Sequence, residues 1–432
     1  MRRDSTVRLA ATLLSYLAGA IAAVITARWL GPSGKGVVAL IALLSGLLTR
    51  FAVISLGEAA VVLVGKGNVP RDRAVGMVVA TIGATSVGAA VVFIGITFLL
   101  VDPTDSSTWL AILFGAISIP ILAFSDALSQ FLLFEKRVIR SSVVFATGSV
   151  VTLLAVGVLL IGFDLGIAGA VAGTAIGGLA SVAVAVQAEL LSPPRFDRSV
   201  LRQALSYGIP AESGVLLTQA AARIDLLLVF AISGSSAAGV YSVALTIGSL
   251  VNLAPSAIAF AAFPRLAQRP SGTEATATVA RLTRLAAASA VISGVAFAAF
   301  SAVAIGPLFG DEFDSALGPA LILIAAGIPW GMQWTVARGI AALGSPALLF
   351  RSFGVTVVAM VLLDLALIPL FDLTGAAIGS AAATCLGLAV CFRHIRHEGI
   401  SLTEMMPRIS EVAALRHPAG VAGDPVPPAP ND

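Results

Sequence analysis

The chain has 432 residues, of which 58% are apolar and only 11% charged, with a mean hydropathy of +1.00. Soluble domains carry about a quarter charged residues, so this composition excludes a soluble enzyme or a nucleic-acid-binding domain and leaves an integral membrane protein. The formal charge of +3 and the pI near 9.2 come from Arg and Lys in short loops, where membrane topology accounts for them.

A helix needs about 20 mostly apolar residues to span a bilayer, and twelve such segments are predicted: 9–30, 37–64, 75–101, 109–134, 138–162, 165–191, 204–232, 237–263, 284–308, 317–343, 346–371 and 374–394. The first follows Met1-Arg2-Arg3; its length and the runs behind it mark an uncleaved signal-anchor helix. Between the first two segments lies Gly31-Pro32-Ser33-Gly34-Lys35-Gly36-Val37-Val38, and 203 residues later Gly234-Ser235-Ser236-Ala237-Ala238-Gly239-Val240-Tyr241 joins two further apolar runs. Gly169-Ala170-Val171-Ala172-Gly173 returns as Gly375-Ala376-Ala377-Ile378-Gly379 at an offset of 206. Two echoes at nearly one spacing predict a duplicated chain. Six helices per copy is an even number, so the copies enter the membrane in the same direction, as parallel repeats. The expected division is a bundle over 1–191, a linker over 192–203, a second bundle over 204–397 and a tail over 398–432.

Basic residues fix the orientation. With the N-terminus inside, Arg2, Arg3, Arg8, Lys66, Arg71, Arg73, Lys136, Arg137, Arg140, Arg195, Arg198, Arg202, Arg265, Arg269, Arg281, Arg284, Arg393 and Arg396 fall on the cytoplasmic side. The outer loops hold Lys35 alone. Both termini are therefore expected in the cytoplasm. In the tail, Leu402 to Leu415 reads as a short interfacial helix, and the Pro-rich end Asp424-Pro425-Val426-Pro427-Pro428 as disordered. Cys385 and Cys391 share one apolar run and His394 and His397 end it, with no metal-ligand spacing, so no metal or cofactor is expected.

Ionised groups at a helix centre cost about 2.5–3.5 kcal/mol on insertion scales and mark a protein interior or a wet cavity. Arg50 lies near the middle of the second segment, with Glu58 two turns closer to the cytoplasm. In the seventh, the spacing of Glu212, Gln219 and Arg223 confines them to one stripe of a continuous helix, while Asp225, about 200° from Arg223, is expected to pair with a neighbouring helix. The tenth carries Trp330, Trp334 and Arg338 at four-residue steps, a surface able to stack on sugar rings or receive a phosphate. Arg50, Gln219, Arg223, Trp330, Trp334 and Arg338 are thus substrate-cavity candidates. Glu58, Asp126, Glu212 and Asp364 are ion-coupling candidates, since a desolvated carboxylate can carry a proton. Each has a plainer reading as an interhelical partner. Pro120, Pro210 and Pro255 fall inside predicted helices, where a bend is expected.

The stretch Ala27-Arg28-Trp29-Leu30-Gly31-Pro32-Ser33-Gly34-Lys35-Gly36 resembles the signature joining the first two helices of bacterial polysaccharide exporters of the O-antigen flippase type. Ile54-Ser55-Leu56-Gly57-Glu58-Ala59-Ala60, Arg223-Ile224-Asp225-Leu226-Leu227-Leu228, Ala238-Gly239-Val240-Tyr241 and Phe263-Pro264-Arg265-Leu266 are similar to further motifs of that family. The resemblance implies an all-α membrane fold of the kind found in multidrug and toxic-compound extruders (MATE-like). It also implies a transporter in the bacterial inner membrane that moves polyprenyl-diphosphate-linked glycans to the outer leaflet. Membrane lipids and a glycan polymerase would be its partners. In such a flippase a net-positive central cavity would offer Arg50 and Arg223 to the phosphates. A cation-coupled drug extruder and a lipid II flippase are the alternatives, although the basic set that lipid II flippases carry near the outer ends of their first and eighth helices is only partly present, with Arg28. The small outer loop from Phe309 to Ala316 argues against a membrane glycosyltransferase.

Overall fold

A backbone placed in hydrocarbon finds no water, so it must close its hydrogen bonds on itself, which helices do. The computed structural model describes residues 2–54, 56–65, 67, 69–101, 105–134, 137–186, 193–266 and 273–397. Among them every regular element is helical: α1 (Arg2–Val53), α2 (Leu56–Gly65), α3 (Arg71–Leu100), α4 (Ser106–Phe134), α5 (Val138–Gly157), α6 (Gly166–Val186), α7 (Arg198–Ala221), α8 (Ile224–Leu250), α9 (Leu253–Leu266), α10 (Thr273–Phe309), α11 (Leu317–Ala342) and α12 (Ala347–His397). A wider π turn, Val158–Gly162, extends α5, and a 3₁₀ turn, Asp311–Ala316, precedes α11. The predicted helix over 402–415 and the Pro-rich end lie outside the described residues.

Nine helical stretches among the described residues are long and apolar enough to cross a membrane. The stretches 10–65 and 347–396 contain 56 and 50 residues, enough at 1.5 Å per residue for two crossings each. Each bends sharply where the sequence places a turn: α1 at Gly31 (φ 63°, ψ −176°) and α12 at Asp372 (φ 50°, ψ −130°). Gly234, in α8, has nearly the backbone of Gly31, with φ 86° and ψ −179°. A left-handed φ is open to glycine and strained for other residues, so the first echoed motif is echoed in conformation too.

The same two motifs meet face to face. A Cβ on Gly36 would lie 1.8 Å from the carbonyl oxygen of Ser235, and a Cβ on Gly239 would lie 1.8 Å from that of Pro32. The 203-residue shift turns one contact into the other. Ser33 Oγ and Ser235 Oγ share a hydrogen bond of 2.8 Å at this seam. The Arg28 guanidinium donates to the carbonyls of Leu308 (2.7 Å) and Pro307, at the end of α10.

Glycine also sets the second echo. Gly169 and Gly173 of α6 approach Leu159 and Val156, whereas Gly375 and Gly379 approach Leu367 and Asp364 within α12. Small residues let helix backbones touch in lipid. The two crossings use equivalent positions, with Val156 in one and Asp364 in the other.

Three predicted segments are interrupted. The second breaks between α1 and α2, where Ile54 takes φ 43°; the seventh breaks between α7 and α8, where Arg223 has φ −152° and ψ 0°; the eighth breaks at Val251 and Asn252, between α8 and α9. Pro255 therefore falls in the first turn of α9, where its missing N–H breaks no helical bond, and does not bend a continuous helix. Pro120 does lie inside α4.

The apolar core divides along the molecule. Near the Gly31–Gly234 seam one cluster draws on both halves of the chain, including Leu40, Ile41, Phe93, Val229, Tyr241 and Ile305. Towards the opposite end there are two. One holds Val53, Met77, Ile82 and Leu132; the other holds Val336, Phe353, Cys391 and Ile395.

Candidate functional site

Charged side chains gather between those two separate cores. Arg50, in the last turn of α1, donates from Nη1 to Asp126 Oδ2 at 3.0 Å, and both side chains remain 29% exposed. Gln130, one turn along α4, donates to the same oxygen at 3.3 Å. Arg50 thus takes its acid from α4; Glu58, on the far side of the Ile54 break, is solvent-exposed. Arg338 of α11 lies within electrostatic reach of Glu58, Arg50 and Glu212. Its guanidinium stacks 4.4 Å from the Trp334 ring centroid, and its buried Nε has no hydrogen-bond acceptor.

Residues far apart in the chain therefore converge on one region that holds both signs of charge. Two guanidiniums, Arg50 and Arg338, face three carboxylates, Glu58, Asp126 and the buried Glu212.

The tryptophan stripe is also partly used within the protein. Trp330 and Trp334 both pack edge-on against Phe353 of α12, with centroids 5.3 and 6.3 Å away, and Arg338 covers a face of Trp334. Packing thereby takes up part of the surface expected to stack on sugar.

The break before α8 divides the expected stripe of the seventh segment. Glu212 and Gln219 share α7, but Arg223 lies beyond its end in a non-helical conformation and is exposed. Non-helical backbone at membrane depth persists where it is enclosed by protein or lines a cavity. Asp225, expected to pair with a neighbouring helix, is engaged on other sides: its carboxylate accepts from Ser380 Oγ of α12 at 2.8 Å, from Tyr241 Oη at 2.7 Å and from its neighbour Leu226 N–H at 2.8 Å.

Asp364 lies within electrostatic reach of Asp225. It is fully buried, and neither carboxylate oxygen has a hydrogen-bond donor. The equivalent crossing in the first half of the chain is made by Val156, so packing alone does not require an acid there.

Lys35 is the residue whose place the sequence conceals. Expected in an outer loop, it is inside α1, 7% exposed, with Nζ donating to Thr26 Oγ1 at 2.9 Å. Its neighbour Gly36 is pressed against Ser235 at the seam, and the lysine side chain turns into the interior. A single Lys flanked by two glycines was the available signal.

The family model described as "Polysaccharide biosynthesis protein" matches residues 1–269. No curated protein matches the chain by sequence at a significant level. Among solved structures, the lipid II flippase MurJ in an inward closed conformation is similar, with TM-score 0.74, 12% identity, and 89% of this chain and 86% of that chain covered. An outward-facing MATE family multidrug transporter of the MOP superfamily aligns at TM-score 0.61 and 14% identity over 96% of each chain. A MOP superfamily transporter from Pyrococcus furiosus aligns at TM-score 0.60 and 12% identity, over 92% of this chain and 96% of that one. At such identities the likeness establishes the fold, and the match over more than half its length makes this chain a member of the polysaccharide biosynthesis protein family, a multi-pass membrane protein with a transporter fold.

Proposed function

We propose that the protein is a flippase that carries a polyprenyl-diphosphate-linked oligosaccharide from the inner to the outer leaflet of the bacterial inner membrane, with both termini in the cytoplasm. Two six-helix bundles rock about the Gly31–Gly234 seam. The observation that carries this reading is the convergence of mid-membrane charges from both halves of the chain between cores that are separate at one end and joined at the other. A buried charge is tolerated there because a polar cargo and its water use the same space. Arg223, exposed at the break before α8 with Asp225 already engaged by its own donors, meets the phosphates; Arg338 and Gln219 serve the same chamber. Arg50 acts through its exchangeable pair with Asp126. A glycan polymerase is the expected recipient downstream.

Asp364 is the coupling residue in this reading. A buried carboxylate without a donor, beside a second acid, is satisfied by a proton or a small cation. A small cation between Asp364 and Asp225 would supply the driving force. That feature equally favours a second reading, a cation-coupled drug extruder.

Deleting the gene is expected to make lipid-linked oligosaccharide accumulate and surface glycan disappear. Wild-type protein should restore the glycan, and Arg223→Ala at normal abundance should not. Full restoration by Arg223→Ala removes its assigned role. Drug resistance on overexpression, with no glycan phenotype in the deletion strain, decides for the extruder. Accumulation of the peptidoglycan precursor would instead name a lipid II flippase.

A further inference from the structure

We infer that Arg28 is a latch on the Gly31–Gly234 seam, a cation of the first half of the chain that holds the molecule closed by capping a helix of the second. The inference rests on the flippase reading above in one respect, that the seam parts during transport. The last carbonyls of a helix have no intrahelical donor. α10 stops at Gly310, which takes φ 109°, and the Gly310 N–H returns to the Gly306 carbonyl at 2.8 Å. The next two carbonyls receive Arg28: Nε donates to Leu308 at 2.7 Å and Nη2 to Pro307. One edge of the guanidinium thus spans both, and its charge sits at the negative end of the α10 dipole.

A helix is usually capped by a residue close to its own end, whereas Arg28 and Leu308 are 280 residues apart and belong to opposite halves. The kink of α1 meets the same turn, since a Cβ on Gly31 would stand 3.4 Å from Glu312 Oε2. α1 is therefore held to the second half at two places: to α8 by the Gly36–Gly239 approach and the Ser33–Ser235 hydrogen bond, and to α10 by Arg28. Of these contacts the arginine's carries the charge, and parting α1 from α10 must break it. Arg28 is exposed, so water replaces both carbonyls as it leaves. The net cost of release is then small enough for a reversible closure. In the second half the position equivalent to Arg28 is Ala231, so the repeat itself does not call for an arginine here.

The test uses the full chain in nanodiscs of phosphatidylcholine, without cargo, in a background carrying Cys385→Ala and Cys391→Ala. Spin labels on Ser106→Cys of the first half and Asp311→Cys of the second, both exposed, report the distance across the seam by double electron–electron resonance. With Arg28 in place, one closed-seam distance should dominate. Arg28→Gln, too short and uncharged, is expected to raise the ratio of a longer distance to the closed one by about tenfold, the loss of two bonds from a charged donor. Arg28→Lys, which keeps the charge but not the fork, should fall between the two. A merely structural cap would lower the Tm of Arg28→Gln and leave the distance unchanged. An arginine that serves only to bind cargo would also leave the distance unchanged, since no cargo is present. Either result overturns the latch while the flippase reading stands. If Arg28→Gln does not fold, Arg28→Lys decides, and a distance distribution identical to that of Arg28 overturns the proposal. If the seam opens in Arg28→Gln while deleting the gene changes neither surface glycan nor its lipid-linked precursor, the latch stands and the flippase reading fails.

Discussion

The Arg50–Asp126 pair shows how a single contact changes the meaning of a membrane charge. At 3.0 Å and 29% exposure on both sides, it is neither a screened surface pair nor a fully dry one. Removing one partner of a dry pair costs about 3–5 kcal/mol, and exposed pairs contribute under about 1 kcal/mol. Asp126→Ala is therefore expected to destabilise the protein by about 1–2 kcal/mol, and Arg50→Ala with Asp126→Ala by less than the sum of the two. Thermal unfolding in detergent measures both, and additivity would show that the pair is not coupled. Outside the lipid, Asp197 caps α7, accepting from the Ser199 hydroxyl and from the N–H groups of Val200 and Ser199. Those bonds, the Ser199 hydroxyl first, hold its carboxyl below the usual range, with Arg73 a smaller contributor. A lowered folded-state value means that the cap stabilises above the unfolded value and that this stability is lost as pH falls below about 4. Asp197→Asn should abolish that acid dependence, read as Tm against pH.

At the scale of elements, the kinks are the informative features. Gly234 adopts φ 86° with nothing within 4 Å of where a Cβ would stand, so Gly234→Ala has no steric clash and tests backbone strain alone. About 1 kcal/mol of destabilisation is expected; a neutral result would show that the turn relaxes freely. Gly36 is the opposite case, since its Cβ would enter the Ser235 carbonyl. Gly36→Ala should cost about 1–3 kcal/mol as an overpacked contact and push the two halves apart at the seam. The breaks at Ile54 and Arg223 were invisible to an apolar-run count because hydropathy registers length and polarity, and both flanks of each break are apolar. What placed Arg223 outside its stripe is the backbone at that residue, not the side-chain spacing.

For the whole molecule, the proposed flippase makes the joined core at one end and the separate cores at the other one state of an opening cycle. In that proposal the seam would have to part for cargo to leave on that side. In a variant lacking Cys385 and Cys391, Ser33→Cys with Ser235→Cys should cross-link under mild oxidation, stop transport, and recover when a reductant is added. Transport that persists with the cross-link complete would show that this seam is not a gate. Orientation has its own test. A cysteine placed at Asp311 should react with a membrane-impermeant maleimide on intact cells, and one at Arg195 only after lysis; the reverse pattern would invert the proposed topology.

The sequence by itself determined that the chain lives in a membrane, that it is helical, where its apolar runs lie and that its glycine motifs repeat. Those properties follow from local composition and spacing, which a bilayer converts directly into structure. It also carried the family motifs, and it pointed Asp225 towards a neighbouring helix, where Ser380 meets it. Only the tertiary structure decided that Arg50 takes Asp126, that the indoles of Trp330 and Trp334 meet Phe353, and that Lys35 is buried at the seam. Each of those is a contact between segments far apart in the chain, fixed by how closely glycine lets two helices approach, and no local pattern records which helix that neighbour will be.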